Sequence, residues 1–112
     1  ENYATQYLGK IVTVKMDRPR GQGILVFLKF IISGITDEYP AFAPDGEEID
    51  AYVLGVFEPK DEFTGTCIAV IHRTNDEDDK LIVVPEGKAY TDDQIRAMTE
   101  FQEKYFESII IR

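Results

Sequence analysis

A mainly β fold, a small closed or nearly closed antiparallel barrel with one C-terminal helix against it, is what this sequence predicts. Three observations carry that expectation. Short apolar runs rich in β-branched residues recur between polar connections, the strong helical pattern comes only after residue 91, and 112 residues suffice for one modest core. The chain is accordingly read as a single domain, residues 1–112.

The elements follow in order. "KIVTVKM" (Lys10–Met16) alternates around Ile11, Thr13 and Lys15 and reads as a strand, and the Pro and Gly residues of "DRPRGQG" then mark a turn or loop. "ILVFLKFIIS" (Ile24–Ser33) fits a buried strand or a short buried helix, its β-branched ends favouring the strand. "GITDEYPAFAPDG" is a loop by composition, and Ala51–Phe57, Thr66–His72 and Lys80–Pro85 are the clearest strands. In "TDDQIRAMTEFQEKYF" Thr91 and Gln94 form a capping box, with Asp92 and Asp93 favourably placed in the first turn. Ile95, Met98, Phe101 or Gln102, and Tyr105 then keep helical spacing and predict a face that packs down, and "SIIIR" reads as an edge strand.

Asp and Glu total 21 against 12 Lys and Arg, a net charge of −9 that repels nucleic acid and anionic membranes and attracts cations. A single cysteine, Cys67 in "CIAVIH", excludes an internal disulfide; a buried thiol and a reducing, cytoplasmic setting are expected. The longest apolar run is broken by Lys29 and falls short of the ~18–20 residues of a membrane span, and no secretory pattern opens the sequence. A soluble protein without nucleic-acid or membrane partners is therefore expected.

The acids are grouped. "DGEEID" holds Asp45, Glu47, Glu48 and Asp50 just before the strand at Ala51; "NDEDDK" holds Asp76, Glu77, Asp78 and Asp79 just after the strand ending at His72. If those two strands are antiparallel neighbours, both groups converge on one rim. Like charges ~4 Å apart repel by about 4 kcal/mol at an effective dielectric of ~20, a penalty that a hard divalent cation removes. Magnesium ions and a phosphorylated ligand, with Lys80 at the edge, suit such a rim; a solvated loop face is the competing reading. His72 reads as a partly buried rim residue, Arg73 as an ion-pair partner, and Tyr52 and Tyr90 as core.

These residues resemble a known family, the soluble family I inorganic pyrophosphatases, in its short bacterial form. "DGEEID" is similar to the family's Asp-Gly-Asp-Pro-(apolar)-Asp signature, "DDKLIVVP" to its Asp-x-Lys motif, and "FQEKYF" to the end of the helix that carries a substrate-binding tyrosine. The likeness covers roughly residues 7–20 and 44–112. It implies a five-stranded OB-like antiparallel barrel and Mg²⁺-dependent hydrolysis of pyrophosphate to two orthophosphates. It also implies Asp45, Asp50, Asp78 and, at a further position, Asp76 or Asn75 as metal ligands. Glu47 stands where an aspartate helps deprotonate the attacking water, and Asp50 is grouped with it as catalytic. Lys80, Tyr105 and Asp17 match substrate-site residues. A homo-oligomer is expected.

The sequence departs from the family in three respects, one being that the hairpin between Asp17 and Asp45 is too short to supply a further lysine and arginine. Phe106 occupies a lysine position, and "GQGILVFLKFIISGITDEYPAFA" replaces a Tyr-Pro-x-Asn-Tyr-Gly-Tyr segment. A metal- and phosphate-binding relative with weakened catalysis is the alternative function. An OB-type nucleic-acid module is opposed by the charge and by the lack of a basic aromatic stripe.

Overall fold

A computed structural model describes residues 3–19, 26–32, 49–55, 62–74 and 79–112, with the side chains of 15–19, 26–32, 101 and 102 outside the description. A short 3-10 helix, Tyr3–Tyr7, leads into strands β1 (Ile11–Pro19), β2 (Val26–Ile32), β3 (Asp50–Val53), β4 (Glu62–Arg73) and β5 (Lys80–Val84), then helix α1 (Asp92–Glu103) and strand β6 (Ser108–Ile111). The fold is mainly β, one mixed sheet in the order β1-β2-β3-β5-β4-β6, in which β1 also pairs with β4.

Several expectations change here. The sheet is not wholly antiparallel, because β3 and β5 run parallel with Asp50 opposite Lys80 and Tyr52 opposite Ile82. It has six described strands rather than five, β6 lying at the edge beside β4. β3 and β4 are not neighbours, since β5 lies between them. The "DRP" segment belongs to β1, and its register slips between Met16 and Arg18, so Asp17 is the extra residue of a bulge. The ambiguous run at residues 24–33 contributes a strand, Val26–Ile32.

β4 is the long element of the sheet. Its first part pairs with β1 and its later part with β5 and β6, with a second register slip between Cys67 and Ala69. Such a course needs close backbone approach: a Cβ on Gly65 would lie 2.3 Å from the Val84 carbonyl oxygen.

Strand alternation sorts the apolar residues into two layers. Val12, Val14, Ala51, Val53, Cys67, Val70, Leu81 and Val83 share one, closed by Ala4 and Tyr7 of the 3-10 helix. Tyr52, Leu54, Ala69, Ile71, Ile82 and Val84 share the other, which α1 covers through Ile95 with Met98 packed beside it. Burying a side chain such as Ile95 contributes about 1.5–3 kcal/mol, so it is this apolar stripe that seats the helix. The capping box forms as expected, Gln94 N–H donating to Thr91 Oγ1 at 3.1 Å and Thr91 N–H to Gln94 Oε1 at 2.8 Å. At the other end Tyr105 lies beyond the helix and is 69% exposed, so it does not share the packed face. Among the described residues no helix is long and apolar enough to cross a membrane.

Cys67 is buried, as expected, and burial pushes its thiol up from 9.0 to about 12. The folded chain thus holds a proton that the unfolded chain releases near pH 9. The associated stability is complete below that pH and is lost as pH rises through about 12. Burial and the Glu103 carboxylate raise the Tyr52 hydroxyl in the same sense. The urea midpoint is expected to fall steadily from pH 9 towards 12, and Cys67 to resist a thiol reagent until the chain unfolds; equal labelling rates in buffer and in urea would contradict this.

Candidate functional site

β3 and β5 begin at the end of the sheet where β4 finishes, Asp50 opening β3 opposite Lys80, and Lys80 in turn opposite Ile71. Period-two alternation sets Asp50 on the face of Tyr52 and Leu54, and Lys80 on that of Ile82 and Val84, so both belong to the helix-covered side. The Lys80 ammonium donates to Asp50 Oδ2 at 3.2 Å. The whole Lys80 side chain is buried (5% exposed), whereas Asp50 is 36% exposed and reaches solvent. On the other side of β3, Lys29 of β2 holds the register position opposite Asp50.

On the same face is a buried polar cluster that spans three elements. Arg73, at the end of β4, grips Glu103, the last residue of α1, through Nε to Oε1 at 3.1 Å and Nη2 to Oε2 at 2.6 Å. The Tyr52 hydroxyl of β3 donates to the same Oε2 at 2.6 Å. The Phe106 ring lies over the Arg73 guanidinium, 3.7 Å to its centroid. A forked, doubly bonded pair is the geometry that best repays the desolvation of two buried charges. Beside the cluster a cavity of about 470 Å³ opens among Ile71, Arg96, Glu103, Lys104, Phe106 and Ile110; neither Asp50 nor Lys80 lines it.

On the opposite face, His72 Nδ1 lies 2.7 Å from Asp79 Oδ1, with Asp79 buried and His72 partly exposed. His72 is thus the expected rim residue. Asp79, read as one of four rim acids, is instead a buried partner.

Of the residues anticipated for the site, Asp50 and Lys80 are brought together. Asp45, Glu47, Asp76 and Asp78 lie outside the described residues, and so does Asn75. Asp17 is placed by its backbone only, at the β1 bulge. Tyr105 stands in the turn after α1, two residues beyond Glu103, with the Lys104 ammonium 5.3 Å from its ring centroid. Arg73 does form an ion pair, with Glu103 of the helix. The Tyr52–Glu103 bond joins residues 51 positions apart, a pairing with no local signal in the sequence.

Among the described residues Asp50 offers a solvent-reaching carboxylate with only one oxygen engaged, the donor type magnesium uses. Among them no cluster of three ligand residues occurs. No family model matches the chain, and no curated protein or solved structure matches it.

Proposed function

We propose that the protein hydrolyses inorganic pyrophosphate to two orthophosphates with Mg²⁺ as its cofactor. The observation that carries this reading is the Asp50–Lys80 pair. The last acid of the first motif and the lysine of the second, 30 residues apart, meet at 3.2 Å across parallel strands at one end of the sheet. A carboxylate for a cation and an ammonium for a phosphate oxygen are the complementary halves of a diphosphate site. The same reading takes the sheet as an OB-like barrel, supported by β1 pairing with both β2 and β4.

In this reading Asp50, with Asp45, Asp78 and Asp76, would hold the metal. Bound Mg²⁺ supplies charge neutralisation and lowers the pKa of water at its site. Glu47 takes the proton from the attacking water. Lys80 and Tyr105 donate to phosphate oxygens, so that charge growing on the leaving phosphate meets donors already in place. Asp17 contributes to the same substrate site. The Asp50–Lys80 contact also presets the lysine beside the metal ligand before substrate arrives.

Colorimetric phosphate release from pyrophosphate tests the proposal. Release is expected with millimolar Mg²⁺ and is expected to vanish with excess chelator. Pyrophosphate binding without release would favour the weakened relative, a reading to which Phe106 at the lysine position lends weight.

A further inference from the structure

The buried cluster on the same face as the Asp50–Lys80 pair has a geometry that bears on that site. Tyr52 is two residues after Asp50 on the same face of β3, and Glu103 is two residues before Tyr105. The 2.6 Å bond from the Tyr52 hydroxyl to Glu103 Oε2 therefore ties the strand that opens with the metal-site acid to the turn that carries the exposed tyrosine. Arg73 anchors the same carboxylate to β4 with two further bonds. The turn has its own short links, Lys104 N–H to Glu100 O at 3.0 Å and Phe106 N–H to Glu103 O at 2.9 Å, so Tyr105 moves with Glu103. Phe106 then closes over Arg73.

Resting on the pyrophosphatase reading, we infer that Tyr52 and Glu103 are positioning residues. Through one hydrogen bond they fix the distance between Tyr105 and Asp50, so that a phosphate donor and a metal ligand address the same substrate. Neither touches substrate. A side chain spent on this task must be buried and directional, and a tyrosine hydroxyl donating to a carboxylate gripped by a forked arginine is both.

A double-mutant cycle separates positioning from plain stability. With kinetics measured well below the unfolding midpoints of all variants, Tyr52→Phe is expected to lower kcat/KM about tenfold, mainly by raising KM for pyrophosphate. In a Tyr105→Phe background the same change is expected to cost less than about twofold, because the group it positions is gone. Equal losses in both backgrounds, or no loss in either, would overturn the inference.

Amide exchange supplies an arm that needs no activity. Tyr52→Phe is expected to speed exchange about tenfold at Lys104 and Phe106, across the bond, while the Leu8 and Gly9 amides at the far end stay unchanged. Unchanged exchange at Lys104 and Phe106 would overturn the linkage. An inactive wild type with this exchange pattern would overturn the pyrophosphatase reading and leave the linkage standing.

Discussion

Asp50→Asn is expected, if Asp50 is the metal ligand proposed above, to lower magnesium-dependent phosphate release by about a hundredfold or more while leaving the chain folded, since even partners of metal ligands cost about 10–100-fold when changed. The amide keeps the shape of the carboxylate but has lost its charge, so it is a poor ligand for a hard cation. It also removes the anionic acceptor that Lys80 holds at 3.2 Å. Loss of one hydrogen bond to a charged group costs about 1.5–3 kcal/mol, which a folded domain of this size survives. Both readouts are needed. Phosphate release measured over a magnesium series should show the loss persisting at saturating metal or shifting to much higher metal, and circular dichroism should show an unchanged fold. Wild-type turnover in Asp50→Asn would remove the residue from the site.

Arg73→Ala carries the largest expected effect on stability. It leaves the Glu103 carboxylate buried against β4 with Tyr52 as its remaining partner in the cluster, and such uncompensated buried charges cost about 3–5 kcal/mol. For a domain near this length that corresponds to a fall of about 10–20 °C in Tm. The loss should be specific to the broken pair rather than to arginine as such. Replacing Arg73 by Met together with Glu103 by Leu is therefore expected to recover most of the midpoint in urea, because two apolar side chains carry no desolvation penalty. A midpoint for Arg73→Ala within experimental error of wild type would show that the cluster holds nothing together.

How far the sequence foretold this structure depended on the range of each interaction. The capping box at Thr91 and Gln94 and the seating of Ile95 were legible because three- and four-residue spacings state them outright. The burial of Cys67 was legible from the apolar run around it. The parallel pairing of β3 with β5 was not, since nothing within either run says which strand it will meet. Asp79 looked like its acidic neighbours, and only the fold gives it His72. Tyr105 continued the helical spacing, yet the helix ends at Glu103 and leaves it exposed. The 3-10 helix at Tyr3–Tyr7 spans too few residues to show a period, although its Ala4 and Tyr7 close one core layer. At the candidate site the charges were readable as a group, but the Asp50–Lys80 contact comes from the parallel pairing of β3 with β5, not from the neighbouring of β3 and β4 on which the expected convergence rested. The Tyr52–Glu103–Arg73 cluster drew on three elements and offered no pattern to read.

The proposed site puts a divalent cation where β3 and β5 begin, and substoichiometric Mn²⁺ in an amide correlation spectrum would reveal it there. Paramagnetic broadening of the Asp50, Ala51, Lys80 and Leu81 signals together is expected, reversed by excess Mg²⁺, with Gly9 and Gly87 at the other end of the sheet left sharp. Broadening centred on Gly9 and Gly87, on only one of the two strands, or nowhere would contradict it.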